Sequence, residues 1–202
     1  MAAFLISIAD ILNSERYQAY GAGLVGVTER AGGRYVLRGW CTEVLEGDAK
    51  SGSRVVVVAY DDPAGIERYA NDSALVAAKP LMGGAVSLRQ MVVEQSAVSG
   101  PDTERTGTFL VISAWIEDVQ AYLTYAVNSK AVALSHGGEY LVLGPVDRRI
   151  DGEVLEPGLH RAVIIQFQNA EAALRYRDDP DYRAARAMLG HGAALIVRLV
   201  KT

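Results

Sequence analysis

The stretch AGGRYVLRGW, residues 31–40, returns as HGGEYLVLGP, residues 136–145, and this recurrence decides the fold. Outward from it, matching residues recur at a spacing of 105 positions and, past one loop that is two residues longer, at 107 positions. Duplication with a single loop insertion produces such an offset, and two copies are too few for a solenoid. The matching pairs include Tyr17 and Tyr122, Tyr35 and Tyr140, Gly47 and Gly152, Arg54 and Arg161, Tyr69 and Tyr176, and Gly83 and Gly190.

Each copy is predicted to contain a strand, a helix, two strands, a second helix and a last strand. In the first copy, Phe4–Ile11 is an apolar run of strand length, Asn13 is a helix N-cap, and Gly32 ends the helix that follows. Residues 54–60 are rich in β-branched side chains, which is typical of a central strand. The second copy repeats this order.

This order of elements predicts how each copy folds and how the two copies meet. A βαββαβ unit is ferredoxin-like, with both helices on one face of an antiparallel sheet. Both faces of residues 54–60 are apolar, so the face without helices must also be covered, and the other copy's sheet is the simplest cover. We therefore expect an α+β fold in which two tandem ferredoxin-like units, residues 1–95 and 108–202, pack as an intrachain pseudo-dimeric α/β barrel. A polar linker over residues 96–107 would join them.

Composition excludes several classes of partner. The chain has 202 residues, 50% of them hydrophobic, and a net charge of −4 without a cluster of Lys or Arg, so we expect no nucleic-acid binding. No apolar run approaches the roughly 18 residues that a membrane helix needs, so we expect no membrane partner. The single cysteine, Cys41, cannot form an intrachain disulfide and suits a reducing cytoplasm.

Histidine is the first candidate for chemistry. His136, His160 and His191 all lie in the second copy, and no two of them have metal-ligand spacing, so no metal is predicted. His136 is predicted to follow a helix directly, and the ordinary pKa of histidine permits proton transfer near neutral pH. A plain capping role at the helix C-terminus is the alternative.

Tyrosine is the second candidate, because it is the most abundant aromatic residue, with ten copies. Tyr122 and Tyr140 in the second copy, and their counterparts Tyr17 and Tyr35 in the first, would present a large apolar ring and one hydroxyl donor. This combination suits a cleft for a flat, partly polar ligand. Packing beneath the first helix of each copy is the alternative.

Three further types of side chain are candidates for ligand binding. Arg54 and Arg161 begin equivalent strands, where an arginine can bind a carboxylate through two hydrogen bonds or pair with a surface acid. Gln166 shares a strand face with apolar residues and must find a protein or ligand partner. Trp115 occupies the position that Asp10 has in the first copy, so the two copies would offer cavities of different polarity.

Several of these segments resemble one known family. The resemblance is to the domain-of-unknown-function 1330 branch of the dimeric α/β-barrel superfamily, and it covers nearly the whole chain outside the linker. Related branches include cofactor-free monooxygenases, muconolactone-type isomerases and polyketide cyclases that work in a cleft between sheet and helices, so the resemblance implies no cofactor. The segments are residues 136–141, 151–152, 164–167, 175–176 and 180–182, with looser counterparts at 32–36, 46–47 and 57–60.

The chain also departs from the family pattern. Where the resemblance implies a glutamate before the third-strand aromatic, this chain has Ala59 and Gln166, and where it implies a late arginine, the chain has Met82 and Leu189. The family histidine is present only as His136, so a site is expected in the second copy.

These observations lead to two functional hypotheses. The first is a cofactor-independent isomerase, cyclase or monooxygenase that acts on an acidic or enolic/phenolic metabolite. His136 would carry the proton, Tyr122 and Tyr140 would donate hydroxyl groups, and Gln166 and Arg161 would orient the ligand. This hypothesis requires His136 and Gln166 to line one cavity. The second is a non-catalytic small-molecule-binding or scaffold protein, and association into a further homodimer is left open in both.

Overall fold

The computed structural model describes residues 2–94, 103–149 and 160–202, and it confirms the duplication and the α+β fold class. Most of the predicted linker, and Gly152, lie outside the described residues. The first repeat contains β1 (Ala3–Ile11), α1 (Ser14–Gly23), α2 (Val27–Arg30), β2 (Gly33–Glu46), β3 (Arg54–Tyr60), α3 (Pro63–Ala70), α4 (Ser73–Met82) and β4 (Val86–Val93). The second repeat contains β5 (Thr108–Ile116), α5 (Val119–Ser135), β6 (Glu139–Pro145), β7 (Arg148–Arg149), β8 (His160–Phe167), α6 (Ala170–Asp178), α7 (Pro180–Leu189) and β9 (Ala193–Lys201).

The first helix differs between the repeats. Asn13 caps α1 as predicted, with its side-chain oxygen 3.0 Å from the backbone nitrogen of Arg16. However, α1 ends early, and Gly26 adopts φ of 75°, so a separate short helix α2 follows, whereas α5 is continuous. Glycine is a poor helix former, and the first repeat has three glycines here. Gly21, Gly23 and Gly26 correspond to Ala126, Asn128 and Ala131.

The nine strands form one sheet that closes into a barrel. Their order is β6-β8-β5-β9-β2-β3-β1-β4-β7. The long strand β2 pairs with β3 along its first half and with β9 along its second half, which joins the two repeats. At the other seam, only Val146 and Asp147 separate β6 from β7, and β7 pairs with β4. The backbone nitrogen of Asp147 donates to the carbonyl oxygen of Val92 at 2.9 Å, so the two ends of the strand order meet.

The barrel has an inner and an outer surface, and both are covered, as the apolar strands predicted. The outer surface packs against α1–α4 in the first repeat and α5–α7 in the second. The inner surface, the lumen, is filled by side chains from both repeats, which include Phe4, Ile6, Val57, Phe109, Val111 and Ile164. No helix among the described residues is long and apolar enough to cross a membrane.

Candidate functional site

The first repeat has a cleft between the outer face of its sheet and the broken helix α1–α2, called the first cleft here. Its volume is about 420 Å³. Strands β1, β3 and β4 form its floor, and the glycine-rich end of α1 forms part of its wall. Its polar lining residues are Ser7, Tyr17, Tyr20, Thr28, Glu29, Tyr35, Arg38, Arg54, Tyr69 and Gln90.

Two arginines reach the first cleft, and a carboxylate neutralises one of them. Arg38 lies 4.2 Å from the ring centroid of Tyr35, and its Nε and Nη2 donate to the two carboxylate oxygens of Glu104 at 2.9 and 2.7 Å. Arg54 has no ion pair among the described residues, and its guanidinium carbon lies 5.1 Å from the indole ring centroid of Trp40. Burial lowers the pKa of Arg54, which indicates that this cation is partly dehydrated.

The tyrosines of the first cleft are held in their protonated form. Burial raises the pKa of Tyr17, and burial together with neighbouring Tyr35 raises the pKa of Tyr69 to about 12. Both hydroxyls are therefore protonated at neutral pH and can donate to a ligand oxygen. Tyr35 accepts a hydrogen bond from Thr28 Oγ1 at 3.1 Å, which leaves the phenolic hydrogen of Tyr35 free to be donated.

The floor of the first cleft carries a polar pair. Ser7 on β1 and Gln90 on β4 are cross-strand partners, and Gln90 Nε2 donates to Ser7 Oγ at 3.0 Å. Their counterparts in the second repeat, Ile112 and Val197, are also cross-strand partners, but they are buried and apolar. The sheet beneath the helices is therefore polar at this position in the first repeat and apolar in the second.

The second repeat has an equivalent but smaller and more apolar cavity, called the second cleft. Its volume is about 220 Å³, and Lys130 is the one charged side chain among the described residues that line it. Next to it, hydroxyl groups are already satisfied within the protein, because Ser129 Oγ lies 2.7 Å from Tyr176 Oη and Tyr125 Oη lies 3.4 Å from Tyr182 Oη. This network is buried, so it stabilises the core of the second repeat.

The structure distributes the predicted tyrosines and arginines over both clefts. Tyr17, Tyr35 and Arg54 line the first cleft, and Tyr122 and Tyr140 line the second. The remaining arginine, Arg161, is not among the residues that line either cleft. The site was expected in the second repeat, but the larger and more polar cleft is in the first.

His136, Gln166 and Trp115 lie outside both clefts. His136 caps the C-terminus of α5, and its Nε2 lies 2.8 Å from Oδ2 of Asp179. Gln166 shares the lumen face of β8 with Ile164 and donates to the carbonyl oxygen of Thr106 at 3.0 Å. Trp115 also faces the lumen. The structure therefore does not bring His136 and Gln166 into one cavity, and a catalytic unit built on both is not formed.

Sequence reasoning missed several residues at the first cleft, and Glu29 is one of them. Ser7, Gln90 and Arg38 line it, and Glu104 pairs with Arg38 from the segment between the repeats. A signal was present, because Ser7, Arg38 and Gln90 align with Ile112, Leu143 and Val197, so polarity was kept or gained in one copy only. Among the described residues, no three His, Cys, Asp or Glu side chains are grouped to hold a metal ion.

Comparison with known families agrees with the architecture. Residues 2–96 and residues 107–202 each match the family described as "Domain of unknown function (DUF1330)". The two matches follow the two repeats and confirm the resemblance noted in the sequence. No curated protein matches this sequence.

Solved structures share the fold at low sequence identity. A monooxygenase-like protein from Fusobacterium nucleatum superposes with a TM-score of 0.57 at 10% identity, covering 100% of this chain and 93% of that one. An anthrone oxidase-like protein gives a TM-score of 0.56 at 15% identity, covering 100% and 92%. A chlorite dismutase variant from Candidatus Nitrospira defluvii gives 0.50 at 10% identity, covering 98% and 90%. At these identities the similarity concerns the fold.

Proposed function

We propose that this chain, which belongs to the DUF1330 family, binds a planar acidic or enolic/phenolic small molecule in its first cleft. The observation that carries the proposal is Arg54, a partly buried guanidinium that faces the cleft without a carboxylate partner among the described residues. A guanidinium offers paired N–H donors that match a carboxylate or an enolate oxygen, and the interaction strengthens where water is excluded.

The tyrosines complete a site for a flat ligand. Tyr17 and Tyr35 line the same cleft as Arg54, so their rings can pack on an aromatic or conjugated ligand while their hydroxyl groups donate to its oxygens. Hydroxyl donors aimed at a carbonyl oxygen favour the enolate over the ketone, because negative charge develops on that oxygen. Such a site supports isomerase, cyclase or cofactor-independent oxygenase chemistry, in which the substrate enolate is the reactive species.

A proton acceptor is needed for that chemistry, and Glu29 is the one carboxylate among the described residues that line the first cleft. We assign this role to Glu29 in place of His136, which is paired with Asp179 elsewhere. Glu29 aligns with Leu134 in the second repeat, so the second cleft has no equivalent group. The proposed reaction therefore belongs to the first repeat alone.

A non-catalytic binding protein is the second candidate. The same arginine and tyrosines would then hold a ligand without converting it. The departure of this chain from the glutamate and arginine pattern of the family, at Ala59, Gln166, Met82 and Leu189, favours this candidate.

The binding part of the proposal is tested with a panel of aromatic acids and their neutral amides, measured by calorimetry. We expect the acids to bind more tightly than the amides, and Arg54→Met to weaken acid binding by at least about tenfold, because one charge-assisted pair contributes about 1.5–3 kcal/mol. Arg161→Met removes the equivalent arginine of the second repeat and is the matched control. Equal losses in both variants, or equal binding of acids and amides, would contradict the proposal.

A measurement of turnover distinguishes the enzyme from the non-catalytic binding protein. An anthrone-type ketone is a suitable probe, because a protein of similar fold is described as anthrone oxidase-like. Oxygen consumption and solvent deuterium exchange at the enolisable carbon are measured with the wild type and with Glu29→Gln. Exchange that Glu29→Gln abolishes while binding persists supports the enzyme, whereas binding without exchange or oxygen consumption supports the non-catalytic protein.

A further inference from the structure

One end of the lumen carries a cluster of charged and polar side chains, whereas most of the lumen is filled by apolar ones. Asp10 on β1 accepts hydrogen bonds from Ser53 Oγ at 2.5 Å and from Arg89 Nη2 at 3.0 Å. These three side chains come from the first repeat and face inward with Ile8, on the opposite side of the sheet from the first cleft. Both carboxylate oxygens of Asp10 are therefore already engaged.

Arg198 on β9 lies in the same part of the lumen and is almost completely buried. Only 2% of its surface is exposed, and its Nε and Nη1 have no hydrogen-bond partner among the described residues. Val197 and Leu199 on either side of it pack outward against the helices, and Val200 lies in the lumen, so the alternation of the strand points Arg198 inward. Buried guanidinium nitrogens are normally paired, so these two donors need an acceptor.

The charges at this end of the lumen do not balance. Arg89 and Arg198 face Asp10, which is the nearby carboxylate among the described residues and is bound to Arg89. The Cys41 thiol is also near Arg198, whereas His160 lies farther along the lumen and stacks on Trp115 at 4.4 Å between ring centroids. Burial and then the charge of Arg89 lower the pKa of Arg198, while Cys41 and Asp10 act in the opposite direction.

The barrel fold does not itself require an arginine here. The counterpart of Arg198 in the first repeat is Met91, which is buried in the apolar part of the lumen and lies 3.9 Å from Ser113 Oγ. A methionine therefore fills the equivalent place with no charge. Burying a lone cation is strongly unfavourable unless a counter-charge accompanies it.

We propose that the lumen of the barrel binds one compact monovalent anion at the guanidinium of Arg198. Nε and Nη1 each share one edge of the guanidinium with Nη2, and an edge of this kind presents two parallel N–H donors, which suit a halide or a small planar oxyanion such as nitrate or formate. Valine and isoleucine side chains fill the lumen around this point, so a bulky anion is excluded. This site is separate from the first cleft, because the sheet lies between them.

The test measures thermal unfolding at constant ionic strength while gluconate, a bulky anion, is replaced by chloride, nitrate or formate. The wild-type Tm is expected to rise saturably, by roughly 3–5 °C at ten times Kd, because only the folded barrel offers the site. The Kd values for chloride and formate distinguish an inorganic ion from a small carboxylate as the occupant. A wild-type Tm that is the same in all four anions would overturn the proposal.

Arg198→Met copies the first-repeat residue and removes the donors. This variant is expected to lose the saturable rise and, in gluconate, to be at least as stable as the wild type. Arg175→Met removes an exposed arginine that pairs with Glu171, and it is expected to keep the full response. An equal anion-dependent rise in Tm in the wild type and in Arg198→Met would contradict the proposal. If Arg198→Met does not fold, Arg198→Lys must weaken the response to nitrate and formate more than the response to chloride, since it keeps the charge but not the paired donors.

Discussion

The first and second clefts are formed by equivalent elements, yet one is open and polar and the other is small and apolar. In the first repeat, the glycine-rich segment breaks the helix at Gly26, and the cleft is about 420 Å³. In the second, the continuous helix α5 narrows the cleft to about 220 Å³, and Ser129 and Tyr176 bond to each other. Two copies of one domain can thus differ in how open and how polar the space between sheet and helices is.

The largest expected effect on stability comes from substitutions in the floors of the two clefts. Replacing Ile112 by Ser and Val197 by Gln copies the polar floor of the first cleft into the second. We expect this double variant to lose about 3–5 kcal/mol of the free energy of unfolding, because two buried aliphatic side chains are removed and polar groups are buried in their place. Urea unfolding followed by circular dichroism measures the loss.

The reciprocal variant is the control, with Ser7→Ile and Gln90→Val in the first repeat. Because these positions border an open cleft, we expect the free energy of unfolding to change by no more than about 1 kcal/mol, while aromatic-acid binding falls by at least about tenfold. Similar stability losses in both double variants would show that the two floors are equally structural, and the contrast between the clefts would be wrong.

A smaller difference is expected from single hydroxyl groups. Tyr176→Phe leaves the buried hydroxyl of Ser129 without its partner at 2.7 Å, which should cost about 1–3 kcal/mol of the free energy of unfolding. Tyr69 is the counterpart of Tyr176 but borders the first cleft, where water can replace a lost partner. Tyr69→Phe should therefore cost less than about 1 kcal/mol. Thermal and urea unfolding of both variants measure these losses. Equal losses of unfolding free energy in the two variants would contradict the contrast between the two clefts.

The fold was predictable because the sequence patterns that determine it are local and occur in both repeats. A helix that ends at Gly32, where φ is 81°, and an apolar strand at residues 54–60 each constrain their own segment, and the common spacing places them in one repeated unit. The closed barrel followed because apolar residues on both faces of a strand require two covers. These features depend on short stretches of sequence and on burial.

The candidate site was less predictable because it depends on pairings between distant residues. His136 looked free for proton transfer, but it pairs with Asp179, 43 positions later. Gln166 was expected to need a partner, and the partner is the backbone of Thr106, 60 positions earlier. Matching residues in the two repeats reveal the common fold, whereas the site depends on differing residues, such as Arg38 opposite Leu143.

The smallest expected effect concerns the segment between the repeats, which contacts the first cleft through Glu104. Hydrogen bonds from Arg38 hold the pKa of Glu104 below its ordinary value. The pair therefore stabilises the protein above the unfolded-state pKa of a glutamate, about 4.3, and this contribution is lost as the pH falls through the lower folded-state pKa. Glu104→Gln should lower the free energy of unfolding at pH 7 by less than about 1 kcal/mol, because both side chains are partly exposed, and should flatten the fall in Tm between about pH 5 and pH 3.

The same substitution should also change the first cleft and leave the second unaffected. Without Glu104, Arg38 becomes available beside Arg54, so aromatic acids should bind a few-fold more tightly while their neutral amides bind as before. Glu171→Gln removes a surface partner of Arg175 in the second repeat and should leave affinity unchanged. A rise in affinity with Glu104→Gln alone would show that the segment joining the repeats adjusts the charge of one cleft, because Leu143 replaces Arg38 in the other. Equal affinities in both variants would mean that Arg38 does not reach the ligand, and that Arg54 alone distinguishes the first cleft from the second.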